Sequence, residues 1–171
     1  MNMKKKVFNC SIAVILLTLL DQLTKLWAIK YLKGADGIDI IKDVLRLQYL
    51  ENHGAAFSLF QNKISVFIPV TIVFILVFIF LIGKTYYSDK YLPLRIVLIF
   101  IIAGALGNLI DRIAYKYVVD FIYFSLIDFP IFNVADIYVT CSCAALIILM
   151  FFVYKEDDFE DIKNHKNCNK K

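Results

Sequence analysis

The chain has 171 residues, 60% of them hydrophobic, and a formal net charge of +4; its mean hydropathy is +0.69. That apolar share lies well above the roughly 45–50% of soluble domains, so a water-soluble enzyme is excluded and a single membrane domain is predicted over residues 1–155. The basic residues sit at the ends of apolar segments and not on one soluble face, which excludes a nucleic-acid partner and follows the charge rule of membrane topology.

Four spans are predicted, at about 7–29, 64–83, 94–112 and 134–154, judged against the ~20 apolar residues a helix needs to cross hydrocarbon. They are helices, because an open sheet cannot satisfy its backbone in lipid. The first follows Lys4, Lys5 and Lys6. No small-residue cleavage site closes it; Asp21-Gln22-Leu23-Thr24-Lys25 does, so it reads as a retained span and not a signal peptide. Asp21 and Lys25, four apart with the acid first, are a favourable helix pair. They are either an interfacial ion pair or a group beside a site. Cys10 precedes the apolar run, so the chain is not expected to be a lipoprotein itself. Cys10, Cys141, Cys143 and Cys168 form no Cys-x-x-Cys and are expected to be small buried hydrophobes.

The first loop, at about 31–63, is too long for a plain connector. Residues 44–51 alternate apolar and polar over much of their length, the period of a strand. Asn52-His53-Gly54 follows as a turn signal, and Ala55-Ala56-Phe57 resumes an apolar run. A small β-sheet lying on the outer membrane surface is expected from this loop, with His53 solvated. The second span carries no charge between 64 and 83, and Lys84, Lys90 and Arg95 flank the short connection to the third. In the third span, Ala103-Gly104-Ala105-Leu106-Gly107-Asn108 is dense in small residues and permits close helix approach. Gly104, Asn108 and Asp111 share one stripe, with Arg112 four residues beyond Asn108. An amide at hydrocarbon depth needs partners, so Asn108 reads as a polar wall beside a site. Arg112, a rigid multi-donor cation, could contact a substrate backbone, a lipid phosphate or a carboxylate.

The third loop, at about 111–131, contains a strand-like piece at 117–124. In the fourth segment Asn133 reads as an N-cap and Asp136 lies in the first turn after it. A local reading, a cap plus a carboxylate easing the helix dipole, explains both. Lys155, Lys163, Lys166, Lys170 and Lys171 follow the last span. Residues 156–171 are expected to be a disordered charged tail. The lysine distribution puts both termini in the cytoplasm and the first and third loops outside.

Two carboxylates carry the chemical argument. Asp120 closes Tyr117-Val118-Val119-Asp120, and Asp136 closes Phe132-Asn133-Val134-Ala135-Asp136. A carboxylate at the edge of hydrocarbon is a functional hypothesis by default. Two that converge can share one proton and activate water. The positive helix end would favour an ionised Asp136, leaving the shared proton on Asp120, though such a pair titrates as a unit. Other chemistries lack residues: the two histidines are His53 and His165, Ser58 and Ser125 sit in no Gly-x-Ser-x-Gly elbow, and no His-Glu-x-x-His suggests zinc. No metal or organic cofactor is expected. Two rivals remain on residues alone. A small proton-coupled transporter would place its acids at mid-span. A scaffold would explain the small-residue helix face but not two carboxylates in separate polar motifs.

The ordered set Asp21-Gln22-Leu23-Thr24-Lys25, Asn52-His53-Gly54-Ala55-Ala56-Phe57, Gly107-Asn108-Leu109-Ile110-Asp111-Arg112, Val118-Val119-Asp120-Phe121 and Phe132-Asn133-Val134-Ala135-Asp136 resembles the lipoprotein signal peptidase family, also called signal peptidase II, from about residue 6 to 154. The resemblance implies a multi-pass aspartic endopeptidase of the bacterial cytoplasmic membrane, active near its outer face. Such an enzyme cuts the signal peptide from prolipoproteins just before a diacylglyceryl-modified cysteine. It implies Asp120 and Asp136 as the catalytic pair and Asp21, Lys25, Asn52, Gly54, Asn108, Arg112 and Asn133 as supporting residues. Diacylglyceryl-modified prolipoproteins, membrane phospholipid and globomycin-type inhibitors are then the expected partners of a monomer. Two departures stand out. The stretch before Val118, often bearing a glycine in the family, is Ala114-Tyr115-Lys116-Tyr117 here. After Asp136, Ile137-Tyr138 stand where small residues are frequent.

Overall fold

A computed structural model describes residues 3–54 and 64–164. In chain order these form α1 (Met3–Leu32), β1 (Ile38–Ile41), β2 (Leu45–Asn52), α2 (Ile64–Thr85), α3 (Leu92–Ala114), β3 (Val118–Tyr123), α4 (Val134–Ile148) and α5 (Glu156–Asn164). Four helical segments are long and apolar enough to cross a membrane: Lys4–Leu32, Val66–Thr85, Asp89–Ala114 and Val134–Val153. The four predicted spans are therefore present. The first begins and ends a few residues beyond its apolar run, since lysine is a good helix former whose stem can lie along apolar surface while its charge reaches water.

Helix α3 is the centre of the bundle and packs against α1, α2 and α4. Its core partners include Ile75 and Ile82 of α2, around Leu98, Ile99 and Ile102. Close approach to α4 depends on Gly104: a Cβ there would lie 2.5 Å from the Ala135 carbonyl oxygen and 2.8 Å from Val139 Cγ2. The small-residue face is thus a packing face, as its composition suggests. It brings the start of α4 against the end of α3 even though Ile137 and Tyr138 follow Asp136. Leu16, Leu23, Phe74, Phe80, Phe151 and Phe152 face outward. In water such a belt would be an aggregation liability; in hydrocarbon it is the ordinary face of a span. The same setting corrects the reading of the cysteines. Cys10 is half-buried and Cys141 and Cys143 are exposed, because a small apolar group gains nothing by facing inward when lipid surrounds the helix.

The sheet is antiparallel, in the order β1-β2-β3. It is not built from the first loop alone: β3 comes from the third loop and pairs Leu50 with Asp120 and Asn52 with Val118. Both loops therefore sit at the same end of the bundle. Edge strand β1, Ile-Asp-Ile-Ile, lacks the alternation that reveals β2. The turn signal after β2 is real, with the Gly54 N–H donating to Asn52 Oδ1 at 3.0 Å. The apolar run Ala55-Ala56-Phe57, together with Ser58, Lys63, and His165, Lys166, Cys168, Lys170 and Lys171, falls outside the described residues. Beyond β3 the chain returns alongside it. The Phe132 N–H donates to the Ile122 carbonyl at 3.0 Å, and the Phe121 and Ile122 N–H groups donate to the Phe132 carbonyl at 3.0 and 2.8 Å. This pairing brings the adjacent Asn133 alongside β3.

Between α3 and β3, Lys116 has φ +64°. It follows the helix C-cap at Tyr115, the position where a left-handed residue, usually glycine, ends a helix. Its ammonium donates to the Ile113 carbonyl at 3.1 Å. The turn thus keeps its shape without glycine. The tail also differs from expectation: residues 156–164 are helical. Asp158 accepts the Lys155 N–H at 3.0 Å, contacts the Lys90 ammonium, and is buried. Periodicity over so few residues could not have shown this docking.

Candidate active site

Asp120 and Asp136 meet at the sheet end of the bundle, joined by asparagines. Asn133 caps α4 with a reciprocal pair of bonds. Its Oδ1 accepts the Asp136 N–H at 3.0 Å, and its own N–H donates to Asp136 Oδ2 at 3.1 Å. Its amide meanwhile donates to Asp120 Oδ1 at 2.6 Å and to Asn108 Oδ1 at 3.1 Å. One residue is thus both the local cap and the bridge between the carboxylates. Asn108 donates its amide to Asp136 Oδ1 at 2.8 Å. Asn52, on the same face of the sheet as Asp120, donates to Asp120 Oδ2 at 2.8 Å.

The two carboxylates have different surroundings. Asp120 is buried, on a strand, and receives two neutral amides; Asp136 is half-buried in the first helical turn. Burial, with the Asp136 charge adding to it, pushes the Asp120 carboxyl up to about 7, against the opposing pull of the Asn52 and Asn133 amides and the Lys25 charge. Loss of hydration penalises the ionised form more than those bonds favour it.

Arg112 lies beside the pair. It donates to the Asn108 carbonyl at 3.4 Å and to the Gly54 carbonyl at 3.5 Å, and stacks over the Phe67 ring at 5.3 Å. Asp21 and Lys25 are not an exposed interfacial pair: both are fully buried. Lys25 Nζ reaches Asp21 Oδ2 at 2.9 Å, Asp111 Oδ2 at 3.0 Å and Asn108 Oδ1 at 2.9 Å. Gly107 is required here, since a Cβ would collide with Asp21 Oδ2. His53 is exposed and meets the Tyr117 ring edge-on at 5.4 Å.

The nine site residues expected from the resemblance, Asp120, Asp136, Asp21, Lys25, Asn52, Gly54, Asn108, Arg112 and Asn133, thus lie in one connected cluster. Two further members, Asp111 and Gln22, carried no assigned role in the sequence reading. Asp111 shares the stripe of Asn108, and its burial beside a lysine on another helix is what raises its importance. Gln22 sits next to Asp21 and donates to Asp21 Oδ2, the Gly107 carbonyl and Asp111 Oδ1 at 3.2, 3.1 and 3.0 Å. Among the described residues no cluster of three or more His, Cys, Asp or Glu could hold a metal ion.

A family model for signal peptidase (SPase) II matches residues 13–152. The lipoprotein signal peptidase of Clostridium tetani (strain Massachusetts / E88) is 47% identical over 155 residues, covering 89% of this chain and 96% of the relative. That of Streptococcus pyogenes serotype M1 is 37% identical over 157 residues, covering 92% and 99%. A bacterial membrane enzyme structure obtained by the in meso method superposes with a TM-score of 0.74 at 28% identity, covering 88% of this chain and 93% of that one.

Proposed function

Because the chain belongs to the signal peptidase II family, and is therefore a membrane peptidase that processes the signal peptides of lipoproteins, we propose that Asp120 and Asp136 are its catalytic pair. The observation that carries this is the Asn133 bridge, which holds both carboxylates in one polar cluster. Membership sets aside the transporter and scaffold readings.

The proposed substrate is a prolipoprotein carrying a diacylglyceryl-modified cysteine, cut just before that cysteine. The signal peptide enters laterally as a helix and unwinds beside the sheet, while its acyl chains stay in lipid and fix the depth of the scissile bond. Asp136 is the ionised member, favoured by the helix start and by the donors from Asn108 and Asn133. Asp120 carries the proton. A water between them loses its proton to Asp136 as it attacks the carbonyl, and Asp120 donates to the carbonyl oxygen. Asn108 and Asn133 hold the carboxylates in register. Arg112 and Gly54 lie where a peptide backbone would pass, with Asn52 fixing Asp120. Lys25 and Asp21 support Asn108 and the start of α4. The lysines at the α5 end favour cytoplasmic termini and an active site near the outer face of the cytoplasmic membrane. The whole is one peptidase domain acting as a monomer, sensitive to globomycin-type inhibitors.

The test uses purified protein in detergent with one prolipoprotein in diacylglyceryl-modified and unmodified forms, the products being identified by mass spectrometry. Cleavage of the modified form alone, just before the cysteine, is expected. Equal cleavage of both forms would remove the lipid from the recognition step, and a cut elsewhere would remove the assigned position.

A further inference from the structure

Beneath the carboxylate pair lies a second group: Asp21 and Lys25 from α1 and Asp111 from α3, all three buried, with the half-buried Gln22 of α1 beside them. Its contacts with the main chain are unusual. The Val119 N–H donates to Asp111 Oδ2 at 3.0 Å, and the Ala135 N–H donates to Asp21 Oδ1 at 2.9 Å. Each N–H belongs to the residue immediately before one of the aspartates, one on β3 and the other on α4. Lys25 joins the two carboxylates at 2.9 and 3.0 Å, and Gln22 joins them again.

Resting on the catalytic reading of Asp120 and Asp136, we propose that Asp111, with Lys25 and Asp21, is a positioning device that sets the separation of the catalytic carboxylates by holding the peptide N–H ahead of each. An ion pair serving only to pack α1 on α3 would need nothing from β3 or α4. Here each acid accepts a main-chain N–H from one of those elements. The group's three charged members are buried, so neither water nor salt loosens their contacts. Two buried carboxylates repel unless a cation stands between them. Lys25 is that cation, and its third donor goes to Asn108, which holds Asp136 directly. One ammonium thereby fixes the backbone ahead of both aspartates and the side chain of one.

Asp111 gives the sharpest test because its charge and its hydrogen bond can be removed separately. Asp111→Ala removes both; Asp111→Asn keeps an oxygen able to accept from Val119 and Lys25. The groups acting on Asp120 are Asp136 from α4, Lys25 from α1, Arg112 from α3, and the amides of Asn52 and Asn133; Asp111 lies behind it, bonded to the Val119 N–H. In Asp111→Ala a negative charge is lost and Asp120 drifts from Asp136. Both changes ease ionisation of Asp120, so the alkaline limb of activity moves to lower pH.

The experiment measures kcat and KM from pH 5 to 9 on the modified prolipoprotein, using folded full-length variants checked by thermal unfolding in detergent. For Asp111→Ala, kcat is expected to fall roughly tenfold to a hundredfold, as a misplacement of about 1 Å would cause. KM should stay within about twofold and the alkaline limb should shift down. Asp111→Asn is expected to recover most of kcat. A smaller folded fraction would lower the rate without moving the limb, and would overturn the proposal if it accounted for the whole loss. Equal impairment of folded Asn and Ala variants would also overturn it. Should the Ala variant fail to fold, Asp111→Asn decides alone: retained kcat supports the clamp, and a folded but inactive protein contradicts it. Asp120→Asn runs alongside. Cleavage surviving there removes the catalytic pair itself, whereas an inert Asp120→Asn beside a wild-type Asp111→Ala removes only the clamp.

Discussion

The two ends of the bundle both bury charged groups, and they neutralise them differently. At the α5 end, the closest side-chain contacts to carboxylates come from cations. Asp89 meets Lys6 at 2.6 Å and Arg95 at 3.2 Å, and Asp158 meets Lys90. Arg95 also closes α2 by donating to the Thr85 carbonyl at 2.5 Å and the Ser88 carbonyl at 3.0 Å. At the sheet end, Lys25 is consumed by Asp21 and Asp111, while the side-chain donors to Asp120 and Asp136 are neutral amides. The titration follows. The Lys90 bond holds the Asp158 carboxyl below the usual carboxylate range, whereas burial pushes Asp120 up to about 7. A cation fixes a carboxylate in its ionised form and makes it structural. Amides hold it in place yet leave its proton negotiable, which is what acid–base chemistry near neutral pH needs.

The contrast is broken most severely by removing a member of the pair. Asp120→Asn or Asp136→Asn is expected to lower cleavage by at least about 10³-fold in folded protein, measured on the modified prolipoprotein. Removing the bridge comes next. Asn133→Ala should cost about a hundredfold in kcat through lost alignment and about 1 kcal/mol of stability through the lost cap; kinetics and chemical denaturation would report the two separately. At the other end, Asp158→Asn should loosen α5, seen as faster limited proteolysis of residues 156–164, while kcat stays within about twofold because the sites are distant. A large loss of activity there would mean the ends are coupled. The smallest effect concerns the hinge into β3. Lys116→Gly should raise stability by about 0.5 kcal/mol, since a left-handed residue with a side chain costs about 1 kcal/mol and glycine loses part of that gain in chain entropy.

Much of this was legible in the sequence for physical reasons. A span announces itself through length and apolarity, and polar residues at hydrocarbon depth draw attention because they need partners. The Asn133 cap could be read because its spacing to Asp136 is local. What stayed hidden was long-range. The period of two exposes β2 but not its partners, so β3 joining from the third loop, with Leu50 opposite Asp120, had to be seen. Asp21 and Lys25 have the same spacing whether they face water or the core, and only their burial against Asp111 decides. The cysteines misled because lipid rewards outward apolar groups as fully as a core does. The tail misled because α5 is held by Asp158 and Lys90, a contact across the chain.

The central claim is that Asp120 and Asp136 act as one unit whose proton rests on Asp120. It is tested most directly by an infrared titration of the protonated-carboxyl band in detergent, comparing wild type with Asp120→Asn and Asp136→Asn. The sign is set by the raised value: Asp120 is protonated below about pH 7, so its band should persist well above the ordinary carboxylate range and fade as pH rises through neutrality, along with activity. The band should vanish in Asp120→Asn and titrate at lower pH in Asp136→Asn, where the repelling charge is gone. A carboxyl band unchanged in Asp120→Asn, or identical titration in both variants, would contradict the account.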